Sequence, residues 1–187
     1  TYNDVGLSTG YREASFDGTE LSLGGEKLAW SALSESRQRG VLDGSLKADE
    51  AVTLTARSAM AYDGKGVAVG YTETTRDLST TLDHNRSVVR TGGVSNALHQ
   101  LAGYSDTTLD DATPGVTETV AASNGEYNGF NQLKKIHEVR TQSGALVSRS
   151  EGDRTTSYDS QGRTKRDHSV MVSDNGVTVD KDYSVAS

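Results

Sequence analysis

Along much of the chain apolar and polar residues alternate one for one. Val52, Leu54, Ala56, Met60 and Tyr62 hold one parity while Thr53, Thr55 and Arg57 hold the other, and Val177, Val179, Tyr183 and Val185 repeat the pattern near the end. Period two is the signature of a strand with two unlike faces, and β-branched Thr and Val suit a pleated surface. Between these runs lie Asp17-Gly18, Asp43-Gly44, Asp63-Gly64, Asn124-Gly125, Asn128-Gly129 and Asn175-Gly176. Such pairs accept positive φ and favour tight hairpin turns. The pattern predicts an all-β chain with at most one short helix, near 26–39 (EKLAWSALSESRQR). SNALHQLAG, 95–103, is a second helical pattern, but it aligns with segments that read as strand.

The alternation is itself repeated. Tyr2-Asn3, Tyr62-Asp63, Tyr127-Asn128 and Tyr158-Asp159 each open a Tyr-Asx turn, and Gly6, Gly66 and Gly162 follow their Tyr by four residues. Further along each frame come Tyr11, Tyr71 and Ile136, and two residues later Glu13, Glu73 and Glu138. The segment from Ser95 fits without its leading Tyr, setting Gly103-Tyr104 and Asp106 opposite Gly10-Tyr11 and Glu13. Starts at 2, 62, 95, 127 and 158 leave room for a degenerate copy near 31. About six hairpin units of about 31 residues therefore fill a single domain over 1–187. One hairpin is not stable alone in water, whereas stacked hairpins bury each other's faces as a solenoid, a sandwich or a barrel.

Composition narrows the function classes. Only 33% of residues are hydrophobic and 6% aromatic, so a thick core is hard to build and a thin sheet fits better. The net charge of -7 opposes docking on phosphate backbones, which need cationic side chains, so no nucleic acid partner is expected. No run approaches the roughly 18 apolar residues of a membrane-spanning helix, and no insertion into a membrane is expected. Cysteine is absent, which removes disulfides, thiolate metal sites and cysteine nucleophiles together. The chain opens at Thr1 without an initiator Met or a signal peptide, so a processed or excised form, with export in its history, is expected.

Tyr158-Asp159-Ser160-Gln161-Gly162-Arg163-Thr164 resembles the Tyr-Asp-x-x-Gly-Arg core of the tyrosine-aspartate repeats of Rhs-type and other large bacterial surface proteins, and Tyr62-Asp63-Gly64-Lys65-Gly66 is a partial match. The resemblance implies secreted or surface-anchored strand arrays that build fibres, shells or stalks and carry no active site. The units here are longer than that repeat, and Arg follows the Gly only at Arg163.

The acidic column Glu13, Glu73, Asp106 and Glu138 would suit a glycoside hydrolase only if two members faced each other across a cleft; recurrence at one repeat position favours a structural ladder. No cofactor is expected, although Asp174, Asp180 and Asp182 beside Asn175 suit calcium bridging. His137 and His168 share a repeat position and would be stacked neighbours, but further zinc ligands are lacking around them and around His84 and His99. The recurring tyrosines mark turns and cap hairpin interfaces, with Tyr71 and Tyr104 the candidates for stacking on a sugar. Trp30 would anchor the helix to the sheet or mark an insertion, and Asn85-Arg86-Ser87 is a lone glycosylation sequon.

The expected function is that of a non-enzymatic, extracellular or cell-surface structural protein that joins copies of itself into a fibre or filament. The segments Tyr2 to Ser15 and Val177 to Ser187, with Tyr2, Tyr11, Val177, Val179, Tyr183 and Val185, are the expected self-association strands. The alternatives are a carbohydrate-binding adhesin module that recognises cell-surface glycans and a glycoside hydrolase.

Overall fold

The computed structural model describes residues 1–145 and 147–184. In chain order the elements are β1 (Tyr11–Ser15), β2 (Glu20–Leu23), β3 (Glu26–Ala29), a 3-10 turn at Trp30–Ala32, α1 (Glu35–Asp43), β4 (Val52–Tyr62), β5 (Ala68–Leu78), β6 (Asp83–Ser95), β7 (Leu101–Asp110), β8 (Val116–Tyr127), β9 (Leu133–Gly144), β10 (Ser148–Tyr158), β11 (Thr164–Ser173) and β12 (Thr178–Ser184). Ten strands form one antiparallel sheet in the order β1-β4-β5-β6-β7-β8-β9-β10-β11-β12, and β2 pairs with β3 separately. The order has two ends, so the barrel among the expected arrangements is corrected to an open sheet.

The chain divides into two compact units. The first holds Thr1–Met60, Thr72–Val88 and Asp110–Thr113. Its apolar core is Leu21, Leu23, Leu33, Val41, Ala48 and Val52, with Ala14, Phe16, Leu28, Trp30, Leu46 and Leu54 packed against it. Two departures from the sequence reading fall here. Residues 26–29 are not helical: Gly24 and Gly25 take φ of 65° and 84°, a conformation that turns Glu20–Leu23 back against Glu26–Ala29. The helix begins only after Ser34, whose hydroxyl accepts the Arg37 N–H, and ends at Gly44 with φ of 76°. Nine residues cannot hold a helix in water unaided, and burial of Val41 supplies the anchor. Trp30 lies in the 3-10 turn and stands against Phe16, ring centres 6.2 Å apart, at the margin of this core. In place of a hairpin unit beginning near 31, this stretch is the 3-10 turn and α1.

The second unit, Ala61–Tyr71, Val89–Leu109 and Pro114–Ser187, contains strands and turns but no helix among its described residues. Buried apolar side chains are few there, Ala122 and Ile136. Cross-strand hydrogen bonds and side-chain pairs therefore carry much of its stability. Residues 95–103, the weaker helical pattern, are the end of β6, a turn over 96–100 and the first residues of β7.

Five turns share one backbone path. At Asn3, Asp63, Asn96, Asn128 and Asp159 the side-chain Oδ1 accepts N–H groups two and four residues on, at 2.8–3.2 Å. The Asx N–H also bonds the carbonyl four residues on. The third residue after each Asx is left-handed: Gly6, Gly66 and Gly162 at 79–80°, His99 at 62° and Asn131 at 66°. This explains the spaced glycines, and it places His99 as a turn residue.

Candidate functional site

Four features outside the buried apolar core organise side chains of chemical interest: a cross-strand ladder, a histidine–aspartate cluster at His84, the open strand edges, and a trough on β9 to β12.

The ladder begins from a recurrent left-handed residue, which at Asn124 sits in a β-bulge. Ala59, Gly92 and Asn124, each four residues before a turn Asx, take φ of 50°, 61° and 56°. That residue pushes backbone toward the adjoining strand, so a Cβ on Gly103 would lie 3.0 Å from the Ala122 carbonyl and one on Gly10 would lie 2.5 Å from that of Arg57. That is why Gly precedes Tyr in these frames. The neighbouring tyrosine then meets an arginine. Arg57 lies 5.5 Å from the Tyr11 ring centre, and Arg90 lies 4.9 Å from Tyr71 and 3.8 Å from Tyr104. Each arginine also grips the acid of the following strand, Arg57 with Glu73 and Arg90 with Asp106 at 2.8 and 2.7 Å.

At the next position Ala122 stands where the arginine would be, directly opposite Glu138. Glu138 is nearly buried, and Arg140 of its own strand reaches it at 2.6 and 3.1 Å instead. The acidic column therefore meets arginines at Glu73, Asp106 and Glu138. The Tyr71 and Tyr104 rings, expected to face sugar, lie against Arg90. The leading tyrosines also do more than cap. Tyr127 donates its hydroxyl to the Leu101 carbonyl at 2.7 Å, and Tyr158 to that of Leu133 at 2.8 Å, clamping each repeat to the one before. Both hydroxyls are thus bonded to backbone and not left to solvent.

The histidines do not meet. β10 lies between β9 and β11, so His137 faces Asp153 while His168 faces Asp180 on β12. The expected calcium group is likewise dispersed: Asp180 faces His168, Asp182 pairs with Arg166, and Asp174 lies 4.0 Å from Arg149.

Sequence reasoning missed the cluster in which His84, Asp110 and Asp111 bring ligand-type atoms within 4.8 Å of one another. His84 Nε2 is 2.8 Å from Asp110 and Nδ1 is 3.6 Å from Asp77, and the hydrogen bond to Asp110 leads the causes that raise its pKa. Both ring nitrogens face carboxylates, an arrangement that favours the protonated ring, and a metal would have to compete with the proton for Nε2. Asn85 of the sequon gives its amide to Asp111 at 3.1 Å. No sequence spacing brings residues 84 and 110 together, because only strand pairing does so.

At the ends of the sheet order, β1 is paired only with β4 and β12 only with β11. Every residue of β12 is exposed. Tyr2 forms a lone bridge with Ser8, Val177 closes the turn from Ser173, and Val179 and Tyr183 lie on β12; Val185 is outside the described residues. Three charged groups on these end strands have no hydrogen-bond or ion-pair partner among the described residues: the Arg12 guanidinium and the Glu13 carboxylate on β1 and the Lys181 ammonium on β12.

The trough encloses about 410 Å³ and is lined by Glu138 and Arg140 of β9, Ser150 and Arg154 of β10, Asp167, Ser169, Met171 and Ser173 of β11, and Val179, Lys181 and Tyr183 of β12. Gly152 lies between Glu138 and Met171 in the pairing, so no side chain rises from β10 at that rung. No protein-family model matches the chain, and neither a curated protein nor a solved structure matches it significantly.

Proposed function

We propose that this chain is a non-enzymatic structural β-array whose copies join end to end by strand addition, β12 of one against β1 of the next, in an extracellular or cell-surface fibre. The observation that carries the reading is the unanswered Glu13. Its counterparts Glu73 and Asp106 each receive an arginine from the preceding strand, and β1 has no preceding strand in the sheet. Unpaired edges template such addition.

The repeat sets the register. Ala122 pairs with Glu138 on one side and Tyr104 on the other, and Tyr183 holds the corresponding place opposite Asp167. Continuing that rule brings Tyr183 opposite Glu13 of the next copy, with Lys181 diagonal to Glu13 on one face. Asp182 then falls diagonal to Arg12 on the other. Both diagonals unite opposite charges, which cross-strand pairing favours. The resemblance to tyrosine-aspartate repeats supports the same reading.

The test is analytical ultracentrifugation with negative-stain electron microscopy over a concentration series. Linear oligomers are expected, weakened about tenfold by Glu13→Lys and restored when Glu13→Lys is combined with Lys181→Glu. A monomer at every concentration, or assembly indifferent to both substitutions, refutes the proposal.

A further inference from the structure

The trough on β9 to β12 has a charge opposite to that of the molecule. Its lining carries Arg140, Arg154 and Lys181 against Glu138 and Asp167, whereas the chain as a whole is at -7. The two arginines are half committed. Arg140 holds Glu138 through Nε and Nη2, and Arg154 holds Asp167 through Nε and Nη2, leaving Nη1 of each without a partner among the described residues. Lys181 is wholly uncommitted. The carboxylates are thus answered while cationic capacity is left over.

The rest of the lining is amphipathic. Tyr183 is 65% exposed and its hydroxyl has no hydrogen-bond partner among the described residues, and the lining adds apolar Met171 and Val179 to the hydroxyls of Ser150 and Ser169. A flat ring, short hydroxyls and surplus cations match one chemistry best: a sugar ring, apolar on one face and hydroxylated at its rim, that also bears a carboxylate. A volume of about 410 Å³ holds one or two such rings.

We infer that this trough binds an acidic saccharide, with Tyr183 stacked on a sugar face and Lys181 with the Nη1 atoms of Arg140 and Arg154 facing the carboxylate. Lys181 and Tyr183 also face the β12–β1 joint proposed above, whereas Glu13 does not line the trough. Binding is therefore measured on the parent chain and on Glu13→Lys, which weakens the joint and leaves the trough lining unchanged, so a failure of assembly is told apart from a failure of binding.

The experiment is isothermal titration calorimetry of the full chain at low salt with tetragalacturonate, its methyl ester and poly-L-glutamate. Saturable binding of tetragalacturonate is expected, weakened about tenfold by Lys181→Ala and again by Tyr183→Ala, and unchanged by Lys165→Ala. The methyl ester should bind about tenfold more weakly, since it lacks the charge. Both test positions are exposed on an end strand, and a retained far-UV circular dichroism spectrum shows that each variant is folded. Absence of saturable binding, indifference to both substitutions, or equal affinity for the ester overturns the assignment. Equal binding of poly-L-glutamate also overturns it, in favour of general polyanion attraction.

Discussion

The Arg90 and Asp106 pair gives the sharpest test of how a sheet with so small an apolar core is held together. Their side chains are only 18% and 17% exposed, their hydrogen bonds are bidentate, and tyrosine rings lie near the guanidinium. Exposed ion pairs couple by about 0.2–1 kcal/mol, whereas breaking a buried one costs about 3–5 kcal/mol. Four-fifths shielding places the coupling between these limits, at about 2 kcal/mol, and the ring contacts add about 1 kcal/mol to the loss of Arg90. Arg154 and Asp167, in the same compact unit, form a similar bidentate pair but are 43% and 27% exposed, so about 0.5 kcal/mol is expected there. Double-mutant cycles with Arg90→Met and Asp106→Asn, and with Arg154→Met and Asp167→Asn, measured by urea unfolding, isolate the two couplings. Repeating both cycles in 1 M salt should diminish the second far more than the first, because the Debye length shrinks to about 3 Å. Equal couplings, or equal losses in salt, would refute the claim that burial grades this ladder.

Three further outcomes are expected. Ala59→Gly should raise stability by about 1 kcal/mol in thermal or urea unfolding, since Ala59 holds φ of 50° where an L side chain is strained and its counterpart Gly92 is not. Tyr127→Phe should cost about 1 kcal/mol through loss of its bond to Leu101, while Tyr2→Phe, exposed and without such a bond, should leave the unfolding midpoint unchanged. Arg76 hydrogen bonds lower the Asp83 pKa from 3.8 to about 2. A depressed folded-state pKa stabilises above the unfolded value and is lost as pH falls. The urea midpoint of the parent protein should therefore exceed that of Asp83→Asn above about pH 4, with the gap narrowing as pH falls and closing only below about pH 2, which midpoints measured across this window would check.

The sequence by itself determined the strand class, the positions of the turns and the repeat. Alternation reports two unlike faces within a few residues, and an Asx side chain that accepts N–H groups two and four places along builds its turn without help from the rest of the chain. The five starts at 2, 62, 95, 127 and 158 accordingly coincide with five alike turns. Residues 26–39 show the limit of local information. The same amphipathic run serves as β3, the 3-10 turn and the start of α1, and the choice depends on the Gly24-Gly25 reversal, the Ser34 cap and a core gathered from distant segments.

Partners across the sheet were legible only as columns. Tertiary structure decided that Arg57 and Arg90 reach forward to Glu73 and Asp106, that Ala122 leaves Glu138 to Arg140, that β10 parts His137 from His168, and that His84 meets Asp110. Register is set by pairing summed along whole strands, and each bulge shifts it by a residue. Which side chains become neighbours, and which charges at the two ends stay unanswered, therefore follows from the assembled sheet and not from any short stretch of the chain.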